Sequence, residues 1–518
     1  MLSSRRQFLQ ALRRQRDESR QDGQAAGQAA GQAYGEAAGQ AAGTAVRQAS
    51  GIVPQQSQRS AYLQRVSLRG RFLQGVQERR RQQQCASNVQ KVPACPRMPQ
   101  PLGPVDEGPR SVQETFHAAA IFVARLSRNL GQNVLHSKLA TISWRVSTTF
   151  SGAMMPEIAV AALRKAIIEW SSGDIAPYIE WGHIADSDPD CRQVASLFFG
   201  QARCQFSDVM EWMVDRNCDL TRNPPPEHAM HSRAFCHSHG RMCAVPHVEC
   251  VDDVLDIEIA GPPCPPWSKM GNRGGTSDPR FRFHQVWILM VRRRRPAIII
   301  FENVDTYPVK LLFQSLEDLY EIRCCKVSPQ NFGFAMHRLR VYAILTLRSK
   351  VRWTSSLPLE CLLNNLAASM AMTGADYFVD QDADSHRVLL PGERKHLAQY
   401  EALPAAHRLR HAAVWDLHQS TKRAAGSVRG GALPTFKRTC RALYLRSRQE
   451  FLSPLQALRS MGFPTQATDC HACDVPVVSV NALGMSPARL CSLAGNAMHM
   501  PCVVAMLLIA ALYLERVR

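Results

Sequence analysis

Apolar runs and amphipathic stretches alternate along the middle of the chain. Between residues 112 and 344, short apolar runs such as VLDIEIAG and PAIIIFENV are separated by segments with helical spacing, such as FHQVWILMVRRR and VKLLFQSLEDLYEI. Apolar runs that alternate with amphipathic helices are typical of a mainly parallel sheet covered by helices. The pattern therefore predicts an α/β domain over residues 112–344.

The rest of the chain departs from this rhythm. Residues 1–111 contain a Gly-Gln-Ala-Ala repeat, Gln and Arg runs and a Pro-rich stretch, which predict a low-complexity basic tail that is mostly disordered. An insertion interrupts the α/β pattern at about 215–250. Residues 345–447 mix basic residues, Gly and Pro and form a candidate small domain, and regular patterning returns over 448–518, a segment expected to rejoin the α/β domain.

The charge is strongly positive and uneven. The net charge is +19, and residues 1–100 hold 16 Lys and Arg against 5 Asp and Glu. This suits a polyanionic partner such as nucleic acid, and a solubilising surface is an equal alternative on charge alone. The longest apolar run, residues 502–514, is too short to span a bilayer and is expected to be a buried helix rather than a membrane segment. The basic N-terminus fits either an organelle transit peptide or a plain basic tail.

The sharpest chemical signal is GPPCPPWS, residues 261–268. It follows a predicted strand, so Cys264 is expected just beyond the carboxyl end of that strand, where open α/β sheets bind ligands. Prolines on both sides hold the cysteine on a stiff loop. A thiol is a good nucleophile only as the thiolate, which needs positive neighbours; Arg273, Arg338 and Arg340 are the candidates. An inert loop cysteine is the alternative.

A second signal lies at the end of the next predicted strand. PAIIIFENV places Glu302 directly after a buried apolar run, 38 residues beyond Cys264, which leaves room for one crossover helix. Taken alone, Glu302 could equally be a carboxylate that caps a helix.

These two segments, in this order, resemble the cytosine-5 methyltransferase family. Three later segments also resemble family motifs: NFGFAMHRLRVYAI, which carries Arg338 and Arg340, then FLSPLQALRSMGFP, and finally AGNAMHMP. The resemblance covers roughly residues 145–518. It implies a Rossmann-like class I methyltransferase sheet, with residues 345–447 as a small target-recognition domain.

The resemblance also implies that the chain binds S-adenosyl-L-methionine. The segment TTFSGAMMPEIA is identified with the family's cofactor loop, although Met154 and Met155 stand where the family has glycines. An acid after the second strand is expected to accept hydrogen bonds from the ribose, with Asp186 preferred over Asp188. The implied cofactor-binding residues are Phe150, Ser151, Gly152, Asp186, Asp208, Pro263, Asn496 and Ala497.

The implied reaction is methyl transfer to carbon 5 of a cytosine flipped out of double-stranded DNA. In the family's mechanism Cys264 attacks the ring, Glu302 holds or protonates the ring nitrogen, and Arg340 and Arg338 contact the base. The Gly-rich loop after Cys264, with Gly271, Gly274 and Gly275, is expected to close over the base or to be an ordinary flexible loop. RNA is a less favoured substrate, and a catalytically silent nucleic-acid-binding relative is a further alternative. A DNA substrate implies the nucleus, or an organelle if the N-terminus is a transit peptide; the oligomeric state is left open.

The insertion contains CHSHGRMCAVPHVEC, residues 236–250, which is rich in zinc-competent side chains. Its spacing matches no common zinc finger. The sequence therefore predicts no metal site, with Cys236, His239, Cys243 and Cys250 kept as the candidate ligands should zinc bind.

Overall fold

The computed structural model describes residues 95–98 and 106–517, except for 201, 203, 219, 221–228, 246–253, 269–270, 272, 380–382, 423–430 and 438–440. These residues all belong to one compact unit, Val92–Arg518. Most of the predicted basic tail lies outside the described residues. The chain joins the unit ahead of the predicted start at Val112, because Asp106–Glu107 pairs in parallel with Ala368–Ser369 and Met98 is buried.

A seven-stranded sheet forms the centre of the molecule. Its strands, in chain order, are β1 (Ser143–Thr149), β2 (Tyr178–Ala185), β3 (Cys204–Phe206), β4 (Leu255–Ala260), β5 (Ile298–Val304), β6 (Tyr320–Val327) and β7 (Arg340–Leu347). They lie in the order β3-β2-β1-β4-β5-β7-β6. The strands from β3 to β5 are parallel, whereas β7 runs antiparallel to both of its neighbours. The predicted mainly parallel sheet is confirmed, and its strand order reverses between β1 and β4.

The described residues contain thirteen α-helices, several of which cover the two faces of this sheet. They are α1 (Val112–Thr115), α2 (Ala118–Leu130), α3 (Gln132–Leu139), α4 (Met155–Trp170), α5 (Pro189–Phe198), α6 (Phe281–Arg294), α7 (Lys310–Leu316), α8 (Leu359–Leu363), α9 (Pro391–Glu401), α10 (Pro454–Ser460), α11 (Ala467–Ala472), α12 (Pro487–Asn496) and α13 (Met500–Tyr513). Ile298 and Ile300 of β5 join the core on the α4 and α13 side, while Ile299 and Phe301 join the core beneath α6 and α7. A strand buried on both faces reads as a continuous apolar run, which explains the sequence AIIIF.

Helix α13 is apolar on all sides because it is surrounded by protein. The segment Pro487–Tyr513 is long and apolar enough to cross a membrane, with mean hydropathy 1.7, but 89% of its most apolar window is buried inside the molecule. Within that segment the helix breaks between Asn496 and Met500. The expectation of a buried core helix agrees with this packing.

A buried polar network fastens α6 beneath the centre of the sheet. Arg294, at the end of α6, donates to Glu258 of β4 at 2.6 Å and to Ser147 of β1 at 2.8 Å. Thr149 also donates to Glu258, at 2.6 Å. A charged group this deeply buried is tolerated only when it is paired and hydrogen-bonded. The network therefore holds the strands that flank the topological reversal in a fixed relation to α6.

Smaller sheets decorate the central one. The strands Val414–Asp416, Leu443–Leu445 and Glu450–Phe451 form a three-stranded antiparallel sheet that packs with α9 around its own core, which includes Tyr400 and Trp415. Two further strand pairs are Val351–Trp353 with Leu514–Arg516, and the hairpin Arg233–Cys236 with Arg241–Ala244. The assignment of residues 345–447 as a target-recognition domain stays a prediction.

Candidate active site

The loop that carries Cys264 is held from both ends. Cys264 lies four residues beyond β4, and its carbonyl accepts hydrogen bonds from the amides of Trp267 and Ser268, each at 3.0 Å. Asn303, at the end of β5, donates its side-chain amide to the carbonyl of Pro262 at 3.0 Å. Thr306 donates to the carbonyl of Trp267 at 2.7 Å. Residues at the end of β5 and just beyond it therefore fix the cysteine loop that follows the neighbouring strand β4.

Glu302 and Arg340 form an ion pair beside this loop. Arg340 Nε lies 3.2 Å from Glu302 Oε1, and Tyr342, two residues along β7, pairs with Glu302 across the sheet. Burial raises the pKa of the Glu302 carboxyl, and the positive charges of Arg340 and Arg338 act in the opposite direction. A carboxyl with a raised pKa keeps its proton to higher pH, which suits a hydrogen-bond donor.

The same charges act on the thiol. Burial raises the pKa of Cys264. The positive charge of Arg340 lowers this pKa, the negative charge of Glu302 raises it further, and the positive charge of Arg338 lowers it. Arg340 and Arg338, two of the three arginines suggested by the sequence, are therefore the groups that favour the thiolate. Among Arg340, Arg338 and Glu302, only Glu302 carries a charge that repels the thiolate, so neutralising Glu302 would favour the thiolate.

Arg338 is buried and connects the site to the C-terminal segment. It donates to the carbonyls of Gly495 and Ala497, at 3.3 and 2.5 Å. Burial lowers the pKa of its guanidinium to about 10, so the group stays charged at neutral pH. These contacts give Arg338 a positioning role and explain how the late Gly-Asn-Ala motif reaches the site. Ala497 is part of this contact, whereas the Asn496 side chain is exposed.

A cleft lies at the carboxyl ends of β1 to β4, immediately next to the cysteine loop. Its lining residues are Phe150, Ala185, Asp186, Ser187, Ser207, Asp208, Val209, Pro263 and Phe283. Four residues predicted from the sequence to bind the cofactor are thus brought together: Phe150, Asp186, Asp208 and Pro263. Carboxylates that can accept from ribose hydroxyls or an amino group, together with aromatic rings, are chemically suited to a nucleoside. The residues present therefore fit S-adenosylmethionine. Phe283, at the start of α6, was missed because no motif marks it.

The loop between β1 and α4 shapes one wall of the cleft. The amide of Gly152 donates to Asp186 at 2.8 Å, and Gly152 itself has φ +57°. Ser151 is buried and hydrogen-bonds Thr148 at 2.7 Å, beneath the cleft rather than along its lining. Met154 takes a left-handed φ of 60° where the family has glycine. The backbone of this loop thus follows a path that normally favours glycine, even though the side chain has changed.

The two acids considered for the ribose have different surroundings. Asp186 lines the cleft, and burial raises the pKa of its carboxyl. Asp188 instead caps the start of α5 by accepting from the Asp190 amide and pairs with Arg489. This placement favours Asp186 over Asp188.

The structure also brings together most of the metal-ligand candidates. Cys236, His239 and Cys243 lie together in the hairpin, and Cys204 of β3 joins them. Cys250 lies outside the described residues. Sequence spacing gave no signal for Cys204, which lies 32 residues before Cys236 on a different element.

The fold and this edge of the sheet define a class I methyltransferase architecture, with a cleft lined by acids and aromatic rings adjoining a buried thiol and carboxyl. Residues 248–361 match the family described as C-5 cytosine-specific DNA methylase, which confirms the resemblance drawn from the motifs. The methyl donor of this family is S-adenosylmethionine.

Known relatives match about a fifth of this chain. The tRNA (cytosine(38)-C(5))-methyltransferase of Homo sapiens is 30% identical over 103 residues, which is 18% of this chain and 26% of the relative. The type II methyltransferase M.MspI of a Moraxella species is 27% identical over 108 residues, or 19% of this chain and 26% of the relative. The chain therefore spans about a quarter of the length of these curated relatives. Among solved structures, S. pombe Dnmt2 methyltransferase aligns over 70% of this chain and 97% of its own length, with 14% identity and a TM-score of 0.42.

Proposed function

We propose that this protein transfers a methyl group from S-adenosylmethionine to carbon 5 of cytosine in DNA, through a covalent adduct at Cys264. One observation carries the proposal. Pro263 lines the cleft that contains Asp186 and Asp208, and the next residue is Cys264, on which the charges of Arg340 and Glu302 act. A methyl donor bound in the cleft and a cytosine bound beside the Cys264 thiol would therefore be adjacent.

The residues suit a stepwise reaction. Carbon 5 of cytosine is a weak nucleophile, so the Cys264 thiolate adds to carbon 6 and makes the ring electron-rich at carbon 5. Glu302, whose pKa is raised by burial, transfers a proton to the ring nitrogen and so neutralises the charge that is pushed into the ring, which leaves its carboxylate paired with Arg340. When bound, S-adenosylmethionine supplies the methyl group. A base then removes the proton from carbon 5, the carbon–sulfur bond breaks, Cys264 leaves as the thiolate, and the ring nitrogen returns its proton to Glu302.

DNA is the favoured substrate because the chain is basic and its central segment matches a DNA methylase family. A flipped base is required, since carbon 6 is inaccessible within a stacked duplex. Because the proposed substrate is DNA, we also propose that the protein is located in the nucleus or in an organelle. RNA is a second candidate, because the human relative acts on tRNA. A silent nucleic-acid-binding protein is a third, motivated by Met154 in the cofactor loop.

The test uses oligonucleotides that contain 5-fluorocytosine, whose fluorine blocks the final proton removal and traps the adduct. Purified protein and S-adenosylmethionine are incubated with the probe as duplex DNA and as RNA, and the adduct is mapped by mass spectrometry. We expect an adduct at Cys264 with duplex DNA and none with Cys264→Ser, while Cys361→Ser, at an exposed cysteine, reacts as wild type.

Each of the other outcomes selects a different function. An adduct with RNA alone would reassign the substrate. If the folded protein binds the probe but forms no adduct in any of the sequence contexts tested, the result would support a catalytically silent nucleic-acid-binding protein. An adduct at a cysteine other than Cys264 would refute the assigned nucleophile.

A further inference from the structure

Four sulfur and nitrogen ligands from two separate chain segments meet at the outer edge of the central sheet. Cys204 begins the edge strand β3, Cys236 and Cys243 lie on the two strands of the hairpin, and His239 lies in its turn. Their Sγ and Nδ1 or Nε2 atoms all lie within 4.8 Å of one another. None of the three cysteines forms a disulfide.

Hydrogen bonding does not account for this arrangement. His239 Nδ1 lies 3.3 Å from Cys236 Sγ, 3.4 Å from Cys243 Sγ and 3.8 Å from Cys204 Sγ. A ring nitrogen offers either one N–H or one lone pair, so it can satisfy only one of the three sulfurs. In a tetrahedral zinc site, the Zn–S and Zn–N bond lengths place nitrogen and sulfur about 3.6 Å apart. The three observed distances bracket that value.

The backbone pairing of the hairpin brings these ligands together. Ala234 pairs with Cys243 and Cys236 pairs with Arg241 across the hairpin, so Cys236 and Cys243 lie on the same face. The turn bends back at Gly240, with φ +59°. The amide of His237 donates to the carbonyl of Gln205 at 2.7 Å, which fixes the hairpin against β3 beside Cys204.

We propose that Cys204, Cys236, His239 and Cys243 bind a structural zinc ion. Four protein ligands close a tetrahedral site and leave no open position for substrate, and three thiolates with one imidazole favour zinc over magnesium or calcium. The ion covers part of the open edge of the sheet by fastening the hairpin to β3, an edge that proteins commonly protect. Because Ser207 and Asp208 follow directly after β3, the same ion stabilises one wall of the cleft.

The first experiment measures metal content by mass spectrometry in the full-length protein, purified without chelators. We expect about one zinc per chain, as a closed four-ligand site requires. Cys204→Ser and Cys243→Ser each lose most of the zinc. His239→Cys keeps it, because a fourth thiolate completes the site, and Cys361→Ser, outside the cluster, also keeps it. A wild-type protein that holds no zinc after incubation with Zn²⁺, or zinc content unaffected by both serine variants, overturns the proposal.

A second experiment needs only the wild-type protein, in case a serine variant fails to fold. The chain is alkylated with N-ethylmaleimide before and after treatment with 1,10-phenanthroline, and the modified cysteines are mapped. Cys204, Cys236 and Cys243 become much more reactive once the chelator removes the ion, whereas the exposed Cys361 reacts rapidly in both states. Equal reactivity of the three cysteines in both states refutes the site.

Discussion

At the scale of single residues, function depends on which side chains the fold holds in a low-dielectric environment. Glu302 and Glu157 are both buried carboxyls with raised pKa values, but they differ in position. Glu302 lies beside the Cys264 thiol, whereas Glu157 lies in the first turn of α4, beneath the loop that joins β1 to α4. The first is therefore expected to affect catalysis and the second stability.

Replacing Glu302 by Gln should lower the methylation rate by about 10²- to 10⁴-fold, because an amide cannot transfer a proton to the ring. Nucleic-acid affinity should change little. Since the protonated acid is the active form, the wild-type rate should fall as pH rises through the Glu302 pKa, and this alkaline limb should disappear in the variant. Steady-state rates against pH check this, with the exposed Glu317→Gln as control. An unchanged alkaline limb would contradict the assigned role.

Glu157 should make stability depend on pH. Burial raises the pKa of its carboxyl to about 7. A raised pKa means that the folded state binds the proton more tightly, so this contribution is complete below the unfolded pKa and is lost as pH rises through about 7. Glu157→Gln removes the charge and keeps an oxygen that can accept from Thr148. We expect the variant to be more stable than wild type by about 3 kcal/mol at alkaline pH, from the size of the shift.

This difference should vanish at about pH 4 and below, where the wild-type carboxyl is protonated in both states. Urea unfolding at several pH values measures it. The matched control is Glu169→Gln, at the exposed end of the same helix, which should show no such pH dependence. A constant difference between Glu157→Gln and wild type at every pH would refute the buried-charge explanation.

At the scale of elements, loops that follow neighbouring strands hold one another in place. Asn303, near the end of β5, hydrogen-bonds the loop that carries Cys264, and Arg338, before β7, hydrogen-bonds the segment between α12 and α13. The late Gly-Phe-Pro motif acts in the same way. Gly462 follows α10 with φ +88°, and an added Cβ would lie 2.8 Å from the Met500 Cβ at the start of α13.

Gly462→Ala should therefore destabilise the protein. The left-handed backbone costs about 1–2 kcal/mol for a residue with a Cβ, and the close contact with Met500 adds overpacking of about 1–3 kcal/mol. Denaturant unfolding measures the loss. Gly392→Ala is the matched control, because Gly392 lies within α9 with no atom within 4 Å of the added Cβ, and its substitution should be neutral or slightly stabilising. Equal effects at both positions would contradict the close-packing argument.

At the scale of the whole molecule, about half of the net positive charge belongs to the N-terminal segment, residues 1–91. Residues 1–91 contain 15 Lys and Arg against 5 Asp and Glu, and they lie outside the compact unit that holds the cleft and the cysteine loop. Positive charge attracts nucleic acid without reference to its sequence. The N-terminal segment should therefore contribute to affinity rather than to chemistry.

Deleting residues 1–91 should weaken DNA binding at low salt and reduce the dependence of log affinity on log salt concentration, because fewer counterions are released. The rate at saturating DNA should be unchanged. Fluorescence anisotropy across a salt series and single-turnover methylation measure the two quantities. A truncated protein with unchanged salt dependence, or with no turnover at saturating DNA, would show that the tail is not a simple electrostatic appendage.

The sequence by itself determined the α/β architecture and the thiol-carboxyl pair of the candidate site. Apolar periodicity is a local property, and a buried strand such as residues 298–304 must be apolar wherever it packs. Cys264 and Glu302 were also predictable, because Cys264 follows one strand, Glu302 lies near the end of the next, and the carboxyl ends of parallel strands meet at one edge.

Only the tertiary structure decided which distant side chains share a site. It placed Asp186 in the cleft and Asp188 on a helix cap, brought Phe283 to the cleft wall, and added Cys204 to the cysteines and histidine of the hairpin. The physical reason is that these groups meet through sheet order and hairpin docking, which depend on long-range pairing. The spacing of residues along the chain reflects the helix or strand to which each residue belongs and carries no information about which distant elements pack together.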